Sequence, residues 1–293
     1  MKKFLLPSLG LLALSLASCD DNKNGWDTNT MNVQVQSLAL LIPTSADQEP
    51  VFVQDYKLRF AQSLEDGKMG VKSMSPITLP NGKTFSFETP YTNISGNNLT
   101  YIIDPLPYTT EDGTTVRLRS RLTQQYYAYS TGVNAVIDVN QPPVNLTVIN
   151  IGTDYILKTL QPTMTFCGKT TALVGGQNPY TNEGTSYQVT LDVVNRKAEV
   201  IIYDAHFAEA MPLIRVMRLR DVPLTVDRST GYQINGENII PEVLEGETWV
   251  PNEKFVFNKF SLVPTAENLS TASINFTVAT VFSGTCQGSY IVQ

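Results

Sequence analysis

Residues Val116 to Leu122 read VRLRSRL, and this alternation limits what the chain can build. Successive side chains on a β-strand point to opposite faces, so Val116, Leu118, Ser120 and Leu122 share one face. Arg117, Arg119 and Arg121 share the other. A helix would split the same arginines between opposite sides and leave no apolar stripe. Period-two runs of this kind recur at 32–42, 51–60, 84–87, 99–103, 133–139 and 144–149. They continue at 155–166, 186–194, 197–207, 213–222, 254–263, 273–281 and 289–292. β-Branched and aromatic residues fill them. Turn sequences separate them, among them Asn81-Gly82, Asp112-Gly113, Asn195-Arg196 and Asn235-Gly236. No stretch keeps apolar residues at helical spacing over three turns, and single helical turns are expected only near 61–64 and 208–211. The expected fold class is all-β, built from antiparallel strands.

A chain of 293 residues with 42% hydrophobic content can bury a sizeable core and has room for two domains. The best boundary is Asn140-Gln141-Pro142-Pro143, where two prolines stiffen a polar connection. The sequence therefore divides into a leader (1–18), a tether (19–31), an N-terminal β-domain (32–150) and a C-terminal β-domain (151–293). Short similarities between the halves suggest an internal duplication. Phe60–Leu64 parallels Phe207–Met211, Ser75–Leu79 parallels Val222–Val226, and Asn93–Asn97 parallels Gln233–Glu237.

The N-terminus carries an address. Met1-Lys2-Lys3 precedes an almost wholly apolar run from Phe4 to Leu16, the layout of a secretory leader and too short to span a bilayer. The run ends Leu16-Ala17-Ser18-Cys19, which resembles a bacterial lipobox, and the resemblance implies that Cys19 is acylated and becomes the first residue. Several acyl chains, each methylene contributing about 0.8 kcal/mol, would anchor the protein to a membrane without threading it through. Asp20, Asn22, Asn24 and Gly25 fit the opening of a calcium loop. Its closing position would be Met31, where a bidentate glutamate is required, so no metal site is expected there. A cysteine followed at once by acidic residues resembles the export signal of Bacteroidetes surface lipoproteins, which implies an outer-membrane location facing the cell surface.

The second half, from about residue 153, carries a further resemblance. Met211-Pro212 leads into the strand 214–219, then Asp221-Val222-Pro223, and the chain closes on FSGTCQGSYIV. In this order it resembles the calycin-like (lipocalin-like) β-barrel domains of Bacteroidetes lipoproteins, which implies an up-and-down barrel, with a related barrel or sandwich in the first half. The lipocalin Gly-x-Trp signature is absent, since Trp26 and Trp249 lie elsewhere, which puts an internal ligand cavity in doubt. With Cys19 assigned to lipid, Cys167 and Cys286 remain. They can form a disulfide if their strands are the first and last of a closed barrel, or stay as two buried thiols.

Formal net charge is −6, and loss of Lys2 and Lys3 with the leader makes it more negative, so no nucleic acid partner is expected. The lone histidine, His206, shares a strand face with Asp204, but no Cys/His cluster completes a metal site, and no Gly-x-Ser-x-Gly elbow accompanies it. No cofactor is implied. The richest chemical stretch is Glu242, Glu245 and Glu247 around Trp249, where carboxylates and an indole could hold a sugar. Tyr126, Tyr127 and Tyr129, with Tyr101 and Tyr108, form an aromatic group in the first half. The reading that follows is a non-enzymatic, lipid-anchored envelope protein binding a small molecule, a glycan or a partner protein. Its rivals are a hydrolase using the acids near Trp249 and a structural subunit of an envelope assembly.

Overall fold

The computed structural model describes residues 30–63, 65–97, 100–123, 127–131, 134–138, 144–265 and 271–291. The leader and Cys19, with its expected acylation, lie outside the described residues.

The first twelve strands are β1 (Thr30–Pro43), β2 (Val51–Ser63), β3 (Met69–Ser73), β4 (Ile77–Thr78), β5 (Thr84–Phe85), β6 (Ser95–Asn97), β7 (Thr100–Thr109), β8 (Thr115–Thr123), β9 (Tyr127–Thr131), β10 (Asn134–Asp138), β11 (Val144–Ile151) and β12 (Tyr155–Leu160). Eight of them form one antiparallel half-barrel sheet in the order β3-β2-β1-β12-β11-β8-β7-β6. The alternation in β8 holds: Val116, Leu118, Ser120 and Leu122 are buried, and the three arginines are exposed. A strap, residues 84–92, runs alongside the β3 edge of this sheet. Its backbone hydrogen-bonds to β3 through Ser73 N to Phe87 O (3.0 Å) and Thr89 N to Val71 O (2.9 Å). Phe85 and Phe87 on the strap are buried in the core of this domain.

The strand 155–160, which the sequence-based division gives to the second half, belongs to this first sheet. β12 pairs with β1 on one side (Leu41↔Leu157) and with β11 on the other (Ile149↔Leu157). The Pro142-Pro143 connection therefore lies within the first domain's sequence, and the chain changes sheet only after Leu160. Asn140–Pro143, the expected boundary, itself lies outside the described residues.

The second domain comprises β13 (Thr163–Cys167), β14 (Thr170–Val174), β15 (Gln177–Asn182), β16 (Ser186–Asp192), β17 (Lys197–Ala205), β18 (Ile214–Asp227), β19 (Gly231–Ile239), β20 (Glu242–Glu245), β21 (Thr248–Pro251), β22 (Phe257–Pro264), β23 (Thr271–Val278) and β24 (Phe282–Ile291). Eight strands, β13-β16-β17-β18-β19-β22-β23-β24, run antiparallel around a circle that closes where Thr165 pairs with Ile291 and Cys167 with Ser289. Two hairpins leave the wall: β14–β15 extends beyond β24, and β20–β21 lies against β18. The expected up-and-down barrel is thus present. The helical turn expected near 61–64 is replaced by strand through Ser63, and 208–211 is a single turn closed by Met211 N to Ala208 O at 3.0 Å. The two segments offered as a repeat therefore adopt different structures.

The barrel is filled. Phe166, Tyr187, Val200, Ile202, Met217, Leu219, Tyr232, Ile234, Phe257, Leu262 and Ile274 are all fully buried. Gly284, paired with Phe276, provides the space that the phenylalanine ring fills, since a Cβ there would lie 2.1 Å from the ring's Cζ. Each such side chain contributes about 1.5–3 kcal/mol relative to exposure.

The same apolar cluster continues outside the barrel, into the first domain. Leu38-Ala39-Leu40-Leu41-Ile42 is apolar at every position, so β1 is buried on both faces. Ala39 and Leu41 face the first core. Leu40 and Ile42, with Leu160 of β12, pack with the barrel residues. Polar contacts flank this seam: Arg228 Nη1 donates to Pro43 O at 2.9 Å, and the Arg196 guanidinium lies 5.1 Å from the centre of the Phe52 ring.

Cys167 and Cys286 are free thiols, not a bridge. Their strands are neighbours at the closure, as the disulfide expectation required, but parity separates them. Cys167 pairs with Ser289, three residues from Cys286, so the two side chains point to opposite faces of the wall. Cys286 is buried in the core and Cys167 is half-buried. Burial raises the pKa of both. In protein with Cys19 replaced by serine, maleimide should label Cys167 slowly in the native state and Cys286 only after denaturation, both without reductant. Failure to label the denatured chain until a reductant is added would show that a disulfide forms.

Candidate functional site

The acids around Trp249 lie on the β20–β21 hairpin, a short excursion that folds back on β18. Its register places Val243 opposite Met217 and Glu242 opposite Arg218. The Arg218 guanidinium donates to Glu242 Oε2 from Nε (2.8 Å) and Nη2 (2.5 Å). Its Cζ also lies 4.1 Å from the centre of the Trp249 ring. Glu199 and Arg220 complete the group at 3.9 Å from Arg218 and Glu242 respectively. The Arg218 and Glu242 side chains are only about one-fifth exposed. Partial burial screens this pair less than a surface ion pair, and the stacked indole adds cation–π attraction.

This arrangement separates the predicted constellation. Glu242 and Trp249 are held on Arg218 and fasten the hairpin to the barrel wall. Glu245 and Glu247 stand exposed at its tip around Gly246. Glu242 therefore does not join Glu245 and Glu247 as a set of acids around the indole. Arg218 was the residue that sequence reasoning passed over. Its partner lies in a different hairpin, and only the strand register brings the two together.

His206 and Asp204 do not pair either. Asp204 adopts a left-handed backbone (φ 52°), which breaks the alternation that put it on the face of His206. Its carboxylate binds Arg215 Nη1 at 2.9 Å, and His206 Nδ1 lies 2.7 Å from the hydroxyl of Tyr180 on β15. Among the described residues no group of three or more His, Cys, Asp or Glu could hold a metal ion. Of the tyrosine group, Tyr126 lies outside the described residues, and Tyr127 and Tyr129 are on β9, which pairs with β10. Tyr108 packs its ring 6.5 Å from Phe87 of the strap.

Two of the open cavities among the described residues lie in the first domain. The larger, about 970 Å³, runs between the strap, the β2–β3 pair and the β7–β8 turn, with Arg59, Lys72, Glu88 and Glu111 among its lining. The smaller, about 360 Å³, is lined by Thr44, Thr115, Arg117, Asn150, Thr153 and Tyr155 together with Gly152 and Ile156. Both lie within the range of small-molecule sites, whereas the barrel interior is occupied by its own side chains.

No family model matches this chain, and no curated protein does. Among solved structures it is similar to transferrin binding protein B from serogroup B Neisseria meningitidis, at 6% identity and a TM-score of 0.28, covering 90% of this chain and 78% of that one. A mutant of transferrin binding protein B from Haemophilus parasuis Hp5 is similar at 6% identity and a TM-score of 0.25, covering 91% and 77%. Likeness at this level assigns neither family nor ligand, and the site has to be argued from its own residues.

Proposed function

We propose that this chain is a lipid-anchored, non-catalytic protein of the outer membrane that faces the cell surface. It binds a small molecule, glycan or partner protein through its outer surface. The observation that carries this reading is the filled barrel: with Phe166, Tyr187, Tyr232 and Phe257 fully buried inside it, the second domain serves as a scaffold, not a container. The open cavities of the first domain support the same reading, because they leave polar and charged side chains accessible. The lipobox-like Leu16–Cys19 segment and the acidic tether supply the anchor and the address.

Replacing Cys19 with serine should move the protein from the membrane fraction to the soluble fraction of cells. Unchanged membrane association would refute the anchor. An apolar fluorescent probe such as cis-parinaric acid should show no saturable binding to purified protein. One-to-one uptake abolished by a bulky substitution inside the barrel would refute the surface-binding reading.

A further inference from the structure

The smaller cavity is lined by Arg117, a cation with no ion pair among the described residues. The sheet registers Arg117↔Asn150 and Asn150↔Ile156 set these three residues in a row across β8, β11 and β12 on the outward face. Adjacent strands lie about 4.8 Å apart, so the Arg117 guanidinium and the Asn150 amide can reach one small ligand. Thr115 flanks Arg117 two residues away on the same face, and the turn 152–154 with Thr44 forms the opposite wall.

That wall has already committed its polar groups. The Thr44 hydroxyl donates to Thr153 O (2.8 Å) and Asp154 O (3.1 Å), Gly152 N donates to Thr115 O (2.7 Å), and the Thr153 hydroxyl donates to Asp154 Oδ1 (3.1 Å). Arg117 and Asn150 have no side-chain hydrogen bond or ion pair among the described residues. The larger cavity differs here, since its Arg59, Lys72 and Glu88 all have partners.

We propose that this cavity binds the carboxylate-bearing ring of an acidic sugar, on the reading that the chain binds ligands through its outer surface. Arg117 takes the carboxylate through its planar fork, and Asn150 and Thr115 take ring hydroxyls. A bare oxyanion would be served better by several converging cations, and this cavity offers one cation beside an amide and the Thr115 hydroxyl.

Calorimetric titration of the full chain with trigalacturonate tests this, with its methyl ester and inorganic phosphate as controls. The trimer should bind saturably, the uncharged ester at least about tenfold more weakly, and phosphate should not compete at equal concentration. Arg117→Gln should weaken the trimer about tenfold or more, whereas Lys57→Gln, on β2 away from this cavity, should leave it unchanged. Both residues are at least partly exposed, so each variant should keep the parent's unfolding midpoint. No binding by the parent, equal binding of ester and acid, competition by phosphate, or equal loss in both variants would each overturn the proposal. Cleavage of the trimer would overturn the non-catalytic reading instead and leave Arg117-dependent binding standing.

Discussion

Gly168→Ala is expected to lower the stability of the second domain by about 3 kcal/mol or more. At Gly168 the chain leaves its pairing with β16 and bends into β14, while β24 runs alongside both segments. A Cβ there would lie 2.2 Å from Gln287 O and 3.0 Å from its carbonyl carbon. A flexible side chain could move aside, but β24 is held on its other flank by β23 from Ser289 to Phe282. Overpacking in a core costs about 1–3 kcal/mol, and a backbone obstacle puts this case at or above the upper end. Urea unfolding followed by Trp249 fluorescence measures it. Gly175→Ala is the control: its φ of 58° strains alanine, but nothing lies within 4 Å, so about 1 kcal/mol is expected. Equal midpoints for the two variants would show that the closure accommodates the methyl group.

Leu40→Asp is expected to uncouple the two domains. Leu40 is fully buried, yet it faces away from the first domain's core, into the cluster it shares with the barrel. Truncating a buried leucine costs about 2–5 kcal/mol, and an unpaired carboxylate adds a desolvation penalty. Because Ala39 and Leu41, on the other face of β1, carry the first core, the loss should fall on the seam between domains. Scanning calorimetry should show the parent's cooperative transition splitting into two, and a single transition at the parent's temperature would contradict the packing. Leu41→Asp, by contrast, should remove the first domain's transition altogether.

Strand alternation made the fold class readable, as the buried and exposed sides of VRLRSRL illustrate, because a strand's faces are a local property. The seam was also written in the sequence. Five consecutive apolar residues from Leu38 to Ile42 describe a strand buried on both sides, but a search for period two counts them as one more run. Whatever depends on register was not readable. Glu242 and Trp249 look like a sugar-binding pair until Arg218 is set opposite them, and the offset of one hairpin on another is encoded nowhere locally. Cys167 and Cys286 lie on adjacent strands, the condition on which their pairing depended. Whether they share a face turns on a single residue of offset between two strands at opposite ends of the domain.

The closing ladder between Thr165 and Ile291 also sets an order of events in time. The hairpins β16–β17, β17–β18 and β22–β23 join near neighbours in the chain and can form early, because short loops close at low entropic cost. β13 must wait for a strand made more than a hundred residues later. Until then the edge of β13 that faces away from β16 is unpaired, available to any other extended chain. Refolding should therefore end in a slow, concentration-sensitive phase. A protein delivered N-terminus first across a membrane would need its leading barrel edge shielded until its last strand arrives.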